Sequence, residues 1–187
     1  FRGRKDEPRY SYRDLEEAAR DGNLVALSGC WQGSVARAAA AGDLTGAMDA
    51  ASRLRDIFGD RLRLELIHHG LPGDDARNDL VADVGMRLGI PTVATNNVHY
   101  AHSHDADLSE VLAAIGGRRS LDTHDGFRPP TDLRHLRTPD EMAVRFRRYP
   151  GAVERAADLG AALAFDLDFL EPELRDFPRP GSLTTEE

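Results

Sequence analysis

The sequence has a single cysteine, Cys30, so no disulfide can form within the chain. It has no apolar run approaching the roughly 20 residues that cross a bilayer as a helix. It has no excess of positive charge: 24 Lys and Arg stand against 32 Asp and Glu, for a net charge of −8. Bulk charge therefore does not announce a nucleic-acid surface. The opening residues, Phe1 to Pro8, are charged and lack the apolar core of a signal peptide. These features together lead us to expect a cytoplasmic protein. The first residue is Phe rather than Met, and we read the chain as a segment of something longer.

What is present suits a globular domain of ordinary size: 187 residues, 41% of them apolar. The first ten residues, with Pro8, read as an entry linker. Ser11 is placed to cap a short helix to Arg20, with Asp14 in the capping-box position. Leu24 to Leu27 is an apolar run that suits a buried strand. A loop from Ser28 to Gly33 follows, then a helix that Ser34 can cap. Asp43 can cap the next helix, Leu44 to Phe58, whose apolar residues recur at helical spacing. Leu62 to Ile67 alternates as a strand does.

Beyond the His68–Gly73 loop, Asp74 or Asp75 starts a helix that Gly89 closes, and Thr92 to Thr95 is a third strand. A helix opens at Asp105 or Asp107 and ends near Gly116. From Arg118 to Leu136 the texture changes to Arg, Asp and Pro without a period. Thr138, Pro139 and Glu141 form a second helix-start signature, for a helix to about Arg148. Another helix runs from Ala152 to about Ala164. An extended segment is expected from Phe165 on, where Pro178 and Pro180 prevent a regular helix.

Strands alternating with helices imply a parallel sheet covered by helices. Such folds place chemistry on the loops that follow the strands. Those loops carry Cys30, the His68–His69 pair, and Asn97 with His99. Cys30 is a possible thiolate ligand, although a lone cysteine in a glycine-flanked loop also serves as a small buried apolar group. His99 suits a metal ligand or a hydrogen-bonded histidine at a strand end. His102 and His104 read as a solvated surface loop. Adjacent His68 and His69 must diverge, so at most one can face a site. Trp31 reads as an anchor for its loop, and Arg118–Arg119 as a charge pair at a helix end.

Several stretches, in this order, resemble one family. They are Leu27-Ser28-Gly29-Cys30 with Gly33, Leu54 to Gly59, Leu64-Glu65-Leu66, Leu88-Gly89-Ile90-Pro91 and Val93 to Tyr100. Arg118 to Asp122, His135-Leu136-Arg137, Tyr149 to Val153, and Ala164 to Leu167 with a Pro-Glu-Leu…Phe-Pro tail complete the series. Jointly they resemble the PHP domain of the C-family, DnaE-like error-prone bacterial DNA polymerases.

The resemblance implies an α/β fold, an incomplete PHP-type irregular barrel of parallel strands and covering helices, with a helical C-terminal extension. Residues 1–117 would be the C-terminal part of the PHP domain, and residues 118–187 its remainder and a linker toward the polymerase palm. In many members of the family the barrel holds metal ions, and in some it supports 3′→5′ exonuclease activity. Cys30 matches the loop cysteine of the metal-binding pattern, and Asn97-Val98-His99 matches its closing Asp-x-His motif. At Asn97 a neutral amide stands where the pattern has a carboxylate, which weakens a cation site. An early His-x-His motif is not found in the chain.

The expected metal positions are thus Cys30, Asn97 and His99, for zinc or manganese in the full-length protein. Magnesium would serve a palm domain outside this chain. No catalytic residue is assigned, because no carboxylate triad for nucleotidyl transfer is found. The implied function is error-prone, DNA-templated synthesis in DNA repair by the full-length protein, with DNA and accessory proteins as partners. The segment itself would be a structural module. Two alternatives are a metal-dependent PHP phosphoesterase or exonuclease, and a non-catalytic interaction module. The polymerase-like tail after Arg118 argues against a small phosphoesterase, and no distinctive docking segment favours the interaction module.

Overall fold

The structure is a computed structural model and describes residues 2–4, 7–121 and 133–165. Where an entry linker was expected, the chain opens on an antiparallel ribbon, β1 (Arg2–Arg4) and β2 (Glu7–Arg9), in which Gly3 lies opposite Pro8. A proline removes a ladder donor, and a two-stranded ribbon, all edge, tolerates the loss. Helix α1 (Tyr12–Ala19) follows, capped as its sequence predicts. The Asp14 amide donates to Ser11 Oγ at 3.3 Å, and the Ser11 amide donates to Asp14 Oδ2 at 2.6 Å.

The central sheet is parallel, in the order β3 (Ala26–Leu27), β4 (Leu62–Ile67) and β5 (Thr92–Thr95). The strand expected over Leu24–Leu27 shrinks to two residues because β3 lies at the sheet edge, with Leu24 and Leu27 exposed. Helices α2 (Ser34–Ala40) and α3 (Leu44–Phe58) connect β3 to β4, and α4 (Asp74–Leu88) connects β4 to β5. Asp43 caps α3 as expected, accepting from the Gly46 amide at 2.9 Å. α2 starts one residue early, with Gly33 at the cap position assigned to Ser34, whereas α4 starts at Asp74 as expected, behind Gly73.

β4 is the centre of the core. Leu62, Leu64 and Leu66 alternate along it and are wholly buried, against Val81 and Val84 of α4 and Ala47 and Ala51 of α3. Alternation sends one face of the strand inward. Small residues set how closely the layers approach. A Cβ on Gly85 of α4 would lie 2.8 Å from the Ile90 carbonyl oxygen.

Three helices follow the sheet: α5 (Ala106–Gly116), α6 (Pro139–Arg145) and α7 (Ala152–Ala162). Thr138 and Glu141 close the capping box of α6, with the Thr138 amide donating to Glu141 Oε2 at 2.8 Å. α6 stops at Arg145, short of the expected Arg148. Phe146 and Tyr149 there turn into the core, and Gly151 reverses the chain at φ +78°. α7 packs on β5 and is pinned by Arg155, which donates to the Thr92 carbonyl at 2.7 Å and to Thr92 Oγ1 at 2.8 Å.

The fold is α/β, seven α-helices around a small three-stranded parallel sheet among the described residues. The segment expected to be extended beyond Phe165, and most of the aperiodic stretch after Leu121, lie outside the described residues.

Candidate functional site at the strand-end rim

The loops after β3, β4 and β5 leave the same edge of the sheet, as parallel strands require. The first is stitched to β4. The Ser28 amide donates to the Arg63 carbonyl at 2.9 Å, and Ser28 Oγ accepts from the Glu65 amide at 2.9 Å. Cys30 sits half-buried beyond it, and its carbonyl accepts from the Gly33 amide at 2.8 Å. Only glycine fits at position 33: a Cβ would lie 2.6 Å from the Ser28 carbonyl oxygen.

After β4 the two histidines part, as adjacent residues of an extended chain must. His69 is buried, and its Nε2–H donates to the Asn96 carbonyl at 2.8 Å. Burial lowers its pKa below the ordinary imidazole value, the Asn96 bond opposes this, and the charge of Arg134 adds to the lowering. His68 turns to the other side, 3.3 Å from Asp75 and 3.2 Å from Arg145. Buried Asp74 organises the turn: its Oδ2 accepts from the amides of His69 and Leu71 at 2.8 and 3.0 Å, and its Oδ1 pairs with Arg77 at 2.9 Å.

The loop after β5 is joined by a segment distant in sequence. Asn96 Nδ2 donates to the carbonyls of Leu133 and His135 at 3.0 and 2.6 Å. The His99 amide donates to the Arg134 carbonyl at 2.9 Å, and an isolated parallel bridge pairs Tyr100 with His135. Residues 133–135 thus lie along the chain leaving β5. Asn97 is half-buried, with a left-handed φ of +42° that asparagine tolerates better than most residues.

This pairing delivers Arg134 to the rim. Only 6% of it is exposed, and its Nη1 lies 3.4 Å from His99 Nε2. Burial lowers the Arg134 pKa, and its electrostatic interactions with Cys30 and Tyr100 oppose the effect. Burial, then the charge of Arg134, lowers the His99 pKa. His99 therefore borders the guanidinium, and Cys30, on the first loop, interacts electrostatically with the same charge.

Among the described residues, no three His, Cys, Asp or Glu side chains converge as a metal-binding group. The buried side-chain atoms without a hydrogen-bond partner among the described residues are Asn96 Oδ1, Arg134 Nε, His135 Nδ1 and Arg137 Nε. All belong to the rim or to the segment that closes it.

His102 and His104 stack on each other with centroids 5.2 Å apart, exposed. Trp31 does not anchor its loop by burial: it is 47% exposed. Arg118 and Arg119 close α5 through their amides, at 3.0 and 2.9 Å from the carbonyls of Ile115 and Ala114. Of the strand-end pair, His69 is the one that faces the rim; the sequence did not single out Asn96 or, above all, Arg134. The last belongs to the aperiodic stretch and adjoins the quoted His135-Leu136-Arg137, the one signal that pointed near it.

An α/β module with polar strand-end loops hosts many activities, so relatives decide the family. The chain is 40% identical over 183 residues to the error-prone DNA polymerase of Mycobacterium tuberculosis (strain ATCC 25618 / H37Rv), covering 97% of the chain and 17% of that protein. It is 41% identical over 186 residues to the error-prone DNA polymerase of Nocardia farcinica, covering 95% of the chain and 16% of that protein. It is 34% identical over 137 residues to DNA polymerase III subunit alpha of Thermus aquaticus, covering 73% of the chain and 11% of that protein. No family model matches the chain. The chain is a relative of the C-family, DnaE-like DNA polymerases, and it spans about a sixth of the length of the curated relatives it matches.

Proposed function

We propose that the chain is a structural module of an error-prone DNA polymerase. Residues 1–117 form the later part of a PHP domain of irregular-barrel type, and residues 118–187 its remainder with a linker toward the palm. The observation that carries this proposal is the 40% identity running through 97% of the chain, confined to 17% of the relative's length. The whole protein would extend DNA on a template in the cytoplasm during DNA repair, with magnesium at palm carboxylates and accessory proteins as partners.

Cys30, Asn97 and His99 then mark the remnant of a metal-binding rim. The residues present do not fit a resident zinc or manganese ion. Nε2 of His99, one of the two ring nitrogens able to ligate a cation, faces the Arg134 guanidinium at 3.4 Å. Two of the unpartnered rim atoms, Arg134 Nε and Arg137 Nε, are N–H donors, which a cation cannot satisfy. The neutral amide at Asn97 adds no charge to offset this. What the rim does instead is mechanical. Asn96 and His99 tie residues 133–135 to the end of β5, and α7 packs on the same strand.

The test uses the intact protein in two assays. Primer extension on undamaged and lesion-bearing templates should show synthesis with frequent misincorporation; absence of template-directed synthesis would discard the polymerase assignment. Metal analysis with a 3′→5′ exonuclease assay should show no nuclease that depends on the rim. Tightly bound metal together with nuclease activity abolished by His99→Ala would defeat the structural role.

A further inference from the structure

We propose that the Arg134 guanidinium is the permanent cation of the rim: it stands where a metal ion's charge would stand, among the loops of Cys30, His69 and His99, and it keeps divalent metal out. This inference rests on reading the rim as a former metal site.

Arg134 is 6% exposed, yet no hydrogen bond to its Nε is formed. A buried guanidinium is costly unless its surroundings answer its charge. The groups around it are those a soft cation would choose. His99 presents Nε2 to Nη1 at 3.4 Å, which requires the neutral tautomer with its proton on Nδ1. Cys30 and Tyr100 interact with it favourably. Burial and the charge of Arg134 both lower the His69 pKa, and its Nε2–H is committed to the Asn96 carbonyl.

Each strand end of the sheet thus contributes to the setting of one positive charge. The fourth contributor is the segment carrying that charge, docked by Asn96, by the His99 amide and by the Tyr100 hydroxyl, which accepts from the Arg134 amide at 3.2 Å. A metal ion bound at His99 Nε2 would lie within a few ångströms of a like charge, and the repulsion between the two opposes binding. The arginine cannot escape by losing its proton, since it remains protonated in proteins. One covalently attached cation therefore performs the cross-linking of loops that an exchangeable ion would perform, with no dependence on metal supply.

The test is cobalt(II) binding to the intact protein, followed by equilibrium dialysis and by the thiolate charge-transfer absorption that Cys30 ligation produces. Wild-type protein should bind no cobalt at the rim. R134K, which keeps the charge, should behave as wild type. R134H removes the charge and supplies an imidazole, and should raise cobalt affinity at least tenfold with the thiolate band. The added substitution C30S should abolish that gain.

Cobalt bound by wild type with loss on C30S or H99A would overturn the proposal, as would an R134H affinity within twofold of wild type. A second variant guards against misfolding at position 134. C30D places a carboxylate beside the guanidinium and should raise the melting temperature, by an amount that shrinks with added salt. A lowered melting temperature would count against a cation at that place. Primer extension by the same preparations reads the polymerase assignment separately, so either idea can fail alone.

Discussion

Arg148 grips Asp79 across two elements: Nε donates to Oδ1 at 2.7 Å and Nη2 to Oδ2 at 2.6 Å, while the Tyr149 hydroxyl donates to the same Oδ1 at 3.0 Å. The hydrogen bond from Arg148 is the main cause that holds the Asp79 carboxyl below its ordinary range. Tyr149 is shifted upward, first by burial and then by its bond to Asp79. This trio fastens the turn after α6 to α4, and it sets how stability changes at both ends of the pH scale.

Asp79 binds its proton less readily in the folded chain than in the unfolded one. Its contribution is complete above the ordinary carboxylate pKa and is lost as pH falls through the lower, folded value. Tyr149 works at the other end: its contribution is complete below the ordinary phenol pKa and is lost as pH rises through the raised, folded value. Thermal unfolding of wild type and Asp79→Asn should therefore differ at neutral pH and converge in strong acid. A constant gap across the acid range would contradict the pairing. The Asp79 side chain is 41% exposed, so solvent screening keeps its effect modest and added salt should reduce it.

Asp74 tests the turn after β4. Its buried carboxylate accepts from two amides and pairs with Arg77. Asp74→Ala leaves buried donors without acceptors, at a cost of about 2–4 kcal/mol. Denaturant unfolding measures this loss. Hydrogen exchange should also speed up at the His69 and Leu71 amides, while α1 stays protected.

Gly33 tests the turn that carries Cys30. Its φ of −63° suits alanine, so any penalty from Gly33→Ala is steric. The new Cβ meets the Ser28 carbonyl oxygen, part of the backbone. Displacing the loop should cost about 1–3 kcal/mol, and alkylation of Cys30 should become faster. Unchanged stability and unchanged alkylation would show that the loop has room to give.

Arg155 tests the docking of α7 on β5. Arg155→Ala removes two hydrogen bonds to Thr92 and leaves its part-buried carbonyl short of a donor. We expect about 1–3 kcal/mol of destabilisation in denaturant titration. Arg155→Lys should recover only part of it, because an ammonium lacks the fork that spans carbonyl and hydroxyl together.

Much of the framework was legible along the chain. The capping boxes at Ser11 and Thr138 and the cap at Asp43 are codes that operate within three residues. Leu62, Leu64 and Leu66 alternate at strand period, and α3 and α4 carry helical stripes. The misreadings fell where a partner decides: the ribbon β1–β2, the shortened edge strand β3, and α6, cut short because Phe146 and Tyr149 are claimed by the core.

By itself the sequence determined where the seven described helices and the three strands of the parallel sheet lie, and that Cys30, His69 and His99 follow strand ends. Those signals are local, since capping and periodicity act over one or two turns of chain. Only the tertiary structure decided that Arg134 reaches His99, across 35 positions of sequence. Nothing in the aperiodic stretch around Arg134 encodes its partner. The Asn96 amide, the His99 backbone and the bridge from Tyr100 to His135 bring the two together. Burial then lets a charge that water would screen act on His99 and His69.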